Sequence, residues 1–380
     1  MTNGIRVLRP RDPEWGDWLR LVDHDFYHTA AYHAFSEQEG QGEGRLAVYG
    51  SPARFVAWPY LLCEIPGAND NQGRALYDVN SVYGYPGPLA YECTGSGNFI
   101  DQAWGTLKEH WRANRVVTVF SRFHPLLKNH QVFADAKDHM PFSGELGARA
   151  GGRTISIDLA GGEEGIWSQL RPMWRRHIRR ACQMGIATAV DQDWHHLDEF
   201  VRLYTLTMKR NGAAKRYFFD VSHVERLRQA LPGHIHLHRA HLNGKTAAAV
   251  LISEYRGIAQ YLYAGVNEEF SELSPLKVLL HNAASWASSR GSHTLHLGGG
   301  RGAQESDSLF FFKSGFSNRR HDFYTGRWIV DTDNYAALCR RRSDLAALSD
   351  TDIDAFFPAY RAPITTASCA DQESGAIPAR

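Results

Sequence analysis

Short apolar runs rich in β-branched and aromatic residues alternate with amphipathic stretches, and the order strand, loop, helix, strand occurs twice at similar spacing. Such a chain folds as a mixed α/β protein rather than a helical repeat, because both kinds of segment bury their apolar faces in layers. In the first half, strands are expected at Arg45–Tyr49 and Phe55–Cys63, followed by the turn-rich DVNSVYGYPGPLAY, a helix Asn98–Asn114 and a strand Val116–Arg122. In the second half, Thr246–Glu254 and Ala259–Val266 read as strands, Pro275–Arg290 as a helix and Thr294–Leu297 as a strand. The order repeats without detectable sequence repetition, which points to duplicated domains.

Between the halves, GGRTISIDL precedes a helical pattern from Glu163 to Met184, closed by Gly185, whose missing Cβ suits a helix C-cap. Helices Leu197–Arg210 and Ser222–Leu231 follow, the second stopped by Pro232–Gly233. These signals place one domain at 1–150 and a second at 151–360. Residues 361–380, rich in Ala, Ser, Thr and Pro, have little to bury and are expected to be disordered.

At 380 residues and 43% hydrophobic, the chain holds enough apolar material for two cores. A net charge of +1 excludes a basic nucleic-acid surface covering the whole molecule but leaves room for a local patch. The 5 cysteines are scattered without a CxxC pair, which fits free thiols in a reducing compartment. Residues 1–20 mix charges and prolines where a signal peptide needs an apolar run, and no later stretch is long and uncharged enough to span a bilayer. A cytoplasmic protein without membrane insertion is expected.

The most informative stretch is HTLHLGGGRGAQESDSLFFFKSGFS, in which a strand runs into Gly298, Gly299 and Gly300 and then an aromatic segment. Consecutive glycines let a backbone or a ligand approach closely, although a tight structural turn has the same appearance. There is no GK[ST] of a phosphate-binding loop and no GxGxxG opening a helix. Lys313 is the lone cation in FFFKSGF. A partly desolvated ammonium there can bind a phosphate or stabilise an oxyanion; a snorkelling surface lysine is the plainer reading. Tyr261 and Tyr263, two apart on a strand, should project from one face, where paired phenols could orient a polar substrate or simply pack in a core. In RPMWRRHIRRA, Arg171, Arg175 and Arg179 align at helical spacing and Arg176 and Arg180 broaden the stripe, suited either to phosphates or to plain solvation. His234, His236 and His238 alternate on an expected strand, but no acidic ligand or cysteine accompanies them closely. An exposed strand is a simpler account than a metal site.

With those residues in view, AQYLYAGVNEEFSELSPLKVLLHNAASWASSRGSHTLHLGGG followed by DSLFFFKSGFSNRRHDFYTG resembles the second domain of the Fem family of aminoacyl-tRNA-dependent peptide-bond-forming transferases. RRHIRRACQMGI and FVRLYTLTMKRNGAAKRYFF extend the resemblance to about residues 20–335. It implies two tandem GNAT-like domains, each a central mixed sheet flanked by helices, with the second carrying the chemistry. It also implies no metal and no redox cofactor, aminoacyl-tRNA as co-substrate, and transfer of an amino acid, for instance glycine, to a primary amine. Lys313, Tyr261 and Tyr263 then become catalytic candidates, and Phe312 pairs with Lys313 at the aminoacyl-tRNA end. Gly298, Gly299, Gly300, Asp307, Ser308, Asn80, Tyr83 and Tyr85 are candidate substrate-binding residues, and Arg171, Arg175, Arg176, Arg179 and Arg180 candidate tRNA-binding residues.

Two departures from the family pattern narrow the acceptor. Members acting on nucleotide-linked cell-wall peptides usually place a lysine one helical turn after an aromatic near the N-terminus, whereas Tyr32 here is followed by Ser36. A long charged insertion forming a coiled-coil arm is also absent from the sequence. A smaller amine, such as an antibiotic intermediate, thus joins a peptidoglycan peptide as a candidate acceptor. The rival functions are acetyl-CoA-dependent N-acyl transfer and nucleic-acid binding without catalysis. A CoA-dependent GNAT cradles pyrophosphate with Q/R-x-x-G-x-G/A between strand and helix; the corresponding VNEEFSELSP has no such glycines and adds Glu268, Glu269 and Glu272, whose charge should oppose an anion.

Overall fold

The computed structural model describes residues 4–93, 95, 97–134, 147–300, 307–342 and 356–362. The chain divides into two compact units: residues 1–151 with 323–371, and residues 152–322 with 372–380.

The first unit begins with β1 (Ile5–Leu8), α1 (Glu14–Arg20), α2 (Ala30–Gln38), β2 (Glu43–Ser51) and β3 (Arg54–Asn69). It continues with β4 (Ala75–Asn80), β5 (Leu89–Tyr91), α3 (Gly97–Ala113), β6 (Val116–Arg122) and α4 (His130–Ala134). β1 to β4 form antiparallel neighbours and β5 lies against β3, whereas β4 and β6 are parallel. A parallel neighbour needs a crossover, which α3 supplies. Its apolar stripe of Ile100, Trp104, Leu107 and Trp111 packs on the sheet around Trp58. Trp104, Trp111 and Trp328 lie at 5.8, 5.3 and 5.7 Å from the Trp58 ring.

The second unit holds most of β7 (Gly147–Asp158), then α5 (Gly162–Gln169), α6 (Pro172–Gln183), β8 (Ala187–Val190), α7 (Leu197–Arg210) and α8 (Val221–Ala230). It is completed by β9 (Ile235–Leu242), β10 (Lys245–Tyr255), β11 (Ile258–Val266), α9 (Pro275–Ser289), β12 (Thr294–Gly299) and α10 (Ser308–Ser314). The strand order is β7-β12-β11-β10-β9-β8. Among the described strands of this unit only β11 and β12 are parallel, joined through α9 as β4 and β6 are through α3. The core lies between the sheet and α5, α6 and α9, and α7 covers β11 and β10 from the other face.

Several expectations are corrected. The stretch 163–184 is two helices because Pro172 cannot continue one: Arg171 before it is extended, at ψ 147°, and Pro172 opens α6. The first half contains three further strands, β1, β4 and β5, and the stretch DVNSVYGYPGPLAY expected as turn-rich includes the last residues of β4 and all of β5. The second domain does not run to residue 360. The chain re-enters the first unit within β13 (Arg319–Ile329), whose Thr325–Ile329 pair with β6, and continues into α11 (Thr332–Arg340). Nor does the tail begin at Arg361. That guanidinium and the Tyr360 hydroxyl both donate to the buried Asp78 carboxylate of β4, while residues 363–380 lie outside the described residues. β9 is not an exposed strand but lies between β8 and β10, with His236 and His238 packed edge-on to Trp286 at 4.6 Å each. No helix among the described residues is long and apolar enough to cross a membrane.

Candidate active site

Parallel pairing of β11 with β12 covers only Ile258–Gln260 against Thr294–His296. The last pair is buried, and its side chains are joined by His296 Nδ1–H donating to Gln260 Oε1 at 2.6 Å. Beyond it β11 remains on β10 and β12 remains on β7, so the two strands part. Each is irregular just there. Leu262 is left over where Tyr261 pairs with Ile252 and Tyr263 with Leu251, and Leu297 is left over between His296 and Gly298 on β7. A bulge changes which face the following side chains occupy.

Lys313 of α10 is buried with its ammonium in this region. Nζ donates to the Gly299 carbonyl at 2.6 Å and lies 5.6 Å from the centre of the Tyr261 ring. Burial lowers its pKa to about 7, with the Asp307 carboxylate acting in the opposite direction. Burial also raises the Tyr261 phenol well above its ordinary range. The three glycines have separate local reasons. Gly298, at φ +74°, has a conformation that favours glycine, and a Cβ there would meet Lys313 Nζ at 3.4 Å. Gly299 lies close to the Arg153 carbonyl, and a Cβ on Gly300 would fall 2.1 Å from Asp307 Oδ2. Asp307 caps α10 by accepting from Leu309 N, and Ser308 follows it on the exposed side of the helix.

The expected pairing of the tyrosines does not occur. Because of the bulge at Leu262, Tyr261 shares the core of Ile252, Val278 and Phe312, whereas Tyr263 turns to α7, meeting Tyr204 edge to face at 5.6 Å and the tilted Phe219 ring at 4.8 Å. Phe312 is not at a surface either. It is 5% exposed, packed on Phe316 and Trp174, and its neighbour Phe311 is the open ring of α10 at 49%.

Residues 168–306 match a family profile described as an acetyltransferase (GNAT) domain. The fold is similar to that of FemX, with a TM-score of 0.66 at 13% identity over 87% of this chain and 99% of the other. The chain has a Fem-like double GNAT fold. Lower similarity extends to a conserved protein of unknown function from Bacteroides thetaiotaomicron, with a TM-score of 0.51 at 10% identity over 83% of this chain and 96% of that one. It also extends to the C-terminal DUF2156 domain of a candidate lysylphosphatidylglycerol synthetase from Agrobacterium fabrum, with a TM-score of 0.50 at 14% identity over 85% and 95%. No curated protein matches the sequence. The GNAT match supports an acyltransferase.

In this double GNAT fold, the connection from β11 to α9 is a 3-10 turn, Glu268–Leu273, closed by Ser274 in a left-handed conformation. Its acidity is less exposed to an anion than the sequence suggests. Glu269 pairs with Lys245 at 2.9 Å and Glu268 with Arg210 at 3.8 Å. In the first turn of α9, Lys277 is buried over the Trp174 ring at 4.4 Å, donating to His177 Nδ1 at 2.8 Å and to Ser274 Oγ at 3.2 Å. Sequence reasoning passed over Lys277, whose signal was a lysine three residues after the Ser-Pro helix start.

The basic helix is also only partly free. Arg171 precedes α6 rather than standing on it and lies over the Phe311 ring at 4.9 Å; Arg175 Nε donates to the Leu170 carbonyl, and Arg179 lies over Trp167 at 5.1 Å. Arg176 and Arg180 are exposed. Asn80, Tyr83 and Tyr85 belong to the first unit. Asn80 accepts from Ser81 N, the exposed Tyr83 accepts the Tyr32 hydroxyl on its carbonyl at 3.1 Å, and burial pushes Tyr85 up to about 12. Ser36, four residues after Tyr32, is buried.

Proposed function

We propose that this protein transfers an aminoacyl group from aminoacyl-tRNA to a primary amine of a small-molecule or peptide acceptor. The observation that carries this reading is the Lys313 ammonium, held on the Gly299 carbonyl beside Tyr261 where β11 and β12 separate. In the reaction the acceptor amine attacks the ester carbonyl carbon, an oxyanion forms, and collapse breaks the bond to the ribose oxygen, which leaves with a proton. An ammonium has three N–H groups; one is used on Gly299, so others remain for the developing charge. In a water-poor site one such contact is worth far more than in solution. A role for Tyr261 in orienting the reacting groups is supported by its ring lying 5.6 Å from the ammonium, whereas Tyr263 packs against Tyr204 and Phe219 instead.

The donor assignment draws support from the glycine-free connection 267–274, which lacks a pyrophosphate cradle, and from the exposed Arg176 and Arg180. Acyl transfer from acetyl-CoA is the second reading, favoured by the neutralised Glu268 and Glu269 and by Lys277 at the start of α9. A natural-product amine or a peptidoglycan peptide fits the acceptor role. Both readings are tested by incubating the protein with charged tRNAs and candidate amines, and in parallel with acetyl-CoA, and reading products by mass spectrometry. An aminoacyl amide that requires charged tRNA is the expected result; an acetyl amide from the CoA arm alone would replace this reading with the second.

A further inference from the structure

We propose that the Arg122 guanidinium, with the Asn80 amide on the same sheet face, holds an oxyanion of the acceptor, so that the acceptor is an amine also carrying a carboxylate or a phosphate. The acceptor role rests on the transfer reading above, whereas the anion site rests on the first unit alone. Arg122 closes β6 and is half-buried. Its backbone N–H donates to Ser81 Oγ at 3.0 Å, pinning the strand end to the start of the loop 81–88, and its guanidinium lies over the Phe120 ring at 5.3 Å. Among the described residues no carboxylate pairs with that guanidinium and no oxygen accepts from it. Arg361, the other cation near β4, differs in this respect. It donates to Asp78, a carboxylate that Tyr360 and Thr118 also occupy and that has nothing left for Arg122. A planar fork of five N–H groups without a partner matches the oxygens of a carboxylate or a phosphate, and partial burial makes that attraction stronger than in open water.

The surroundings suit an anion. By alternation from the Asp78–Thr118 pair, Asn80, Phe120 and Arg122 fall on one face of the sheet. Asn80 is exposed and uses its Oδ1 on Ser81 N at 2.8 Å, so its amide nitrogen has two N–H groups to offer. The loop that follows is held rigidly. The Tyr32 hydroxyl donates to the Tyr83 carbonyl at 3.1 Å, a Cβ on Gly84 would fall 2.2 Å from the Tyr27 ring, and the Asn129 amide donates to the Pro86 and Pro88 carbonyls at 3.2 and 2.9 Å. Tyr85 is thereby fixed within the field of Arg122. Burial raises its phenol to about 12 while Arg122 acts in the opposite direction, so at neutral pH the phenol keeps its O–H and adds no competing negative charge.

The test uses three small amines of similar length that differ in their far end: β-alanine with a carboxylate, O-phosphoethanolamine with a phosphate, and propylamine with neither. Each is titrated by NMR into the full-length wild type, Arg122→Gln and Arg122→Lys, all checked for a native thermal melt. Wild type should bind one of the two anionic amines about 10- to 100-fold more tightly than propylamine, and which one it prefers tells carboxylate from phosphate. Arg122→Gln should abolish that preference while leaving propylamine binding unchanged. Arg122→Lys should keep part of it, because the charge stays and the fork is lost; should Arg122→Gln fail to fold, this partial loss carries the test. In transfer from charged tRNA, Arg122→Gln should raise KM for the preferred amine and leave kcat nearly unchanged, a split that general loosening of the fold does not produce. Equal affinity of wild type for all three amines, or anionic amines bound as tightly by Arg122→Gln as by wild type, overturns the inference. If charged tRNA is used and propylamine is as good an acceptor as the anionic amines, the transfer reading stands and the anion site is rejected. If the anionic amines bind through Arg122 but no amide forms from charged tRNA, the anion site stands and the transfer reading falls.

Discussion

Replacing Lys313 with Met separates a charge role from a packing role and makes them move in opposite directions. Burial lowers Lys313 from its ordinary 10.5 to about 7. At about 1.36 kcal/mol per pH unit, that drop corresponds to about 5 kcal/mol by which the fold disfavours the ammonium. The sign follows from which state holds the proton. Below about pH 7 folded and unfolded chains are both charged and the whole penalty acts. Between about 7 and 10.5 the folded chain has released a proton that the unfolded chain retains, so stability from this group rises with pH. Met keeps most of the length and apolar contact and removes the charge. Losing the hydrogen bond leaves the Gly299 carbonyl less well satisfied, at a cost of about 1–3 kcal/mol. Lys313→Met should therefore be more stable than wild type by about 2–4 kcal/mol near pH 6, and the advantage should shrink toward pH 9.5. Turnover at saturating charged tRNA should fall by about 100- to 1,000-fold. Urea unfolding across this pH range and single-turnover transfer give both quantities. A folded variant with near wild-type turnover refutes the catalytic role, and a stability difference that does not change with pH refutes the buried ammonium.

Tyr261→Phe should lower kcat by at least tenfold while Tyr263→Phe leaves it within about twofold, because the bulge at Leu262 puts only the first phenol with Lys313; equal effects in transfer assays would contradict that geometry. Charge reversal at Arg176 and Arg180, which are exposed and on α6, should weaken tRNA binding and reduce its salt dependence by about two phosphate contacts, measured by filter binding across salt concentrations; an unchanged slope rejects the basic face. Acetyl-CoA should bind weakly for want of a glycine cradle between β11 and α9, and a micromolar affinity by calorimetry would overturn this.

Where local rules and tertiary packing agree, the fold is legible in the sequence. Helix α7 spans Leu197–Arg210 as its periodicity predicts, and the crossover through α9 lies where strand, loop, helix, strand is read, whereas the crossover through α3 starts from β4, which the sequence pattern hides. Misreadings have three physical sources. Pro172 breaks a strong helical pattern that runs on through it, because the residue before a proline is driven out of the helical region. The bulge at Leu262 depends on the register of β11 on β10, which Tyr261 and Tyr263 do not encode in their spacing. The return to the first unit at Phe323 depends on which strand β13 finds, and an ordinary amphipathic segment does not announce its partner.

The candidate site follows the same division. Lys313 was conspicuous because one cation among phenylalanines must be buried or must disturb the packing, and it is buried. Which phenylalanine faces out is hidden, since Leu309–Phe312 are four successive apolar residues of α10 and the contacts of Phe312 with Trp174 and Phe316 turn that ring inward. Charge in the β11–α9 connection was misread for a related reason. Three glutamates in seven residues look hostile to phosphate, yet Arg210 of α7 and Lys245 of β10, remote in sequence, answer two of them, and Lys277 adds a cation one turn into the helix. A loop's formal charge is thus a poor guide to its field once the fold has chosen the neighbours. What distinguishes the donors is then backbone geometry. The turn 268–273 has no glycine to bring successive N–H groups around a pyrophosphate, and its single left-handed residue is Ser274, followed by Pro275, which has no N–H to offer. The case for a tRNA donor rests on that missing cradle more than on acidity, which is why CoA affinity and transfer from charged tRNA must be measured on the same protein.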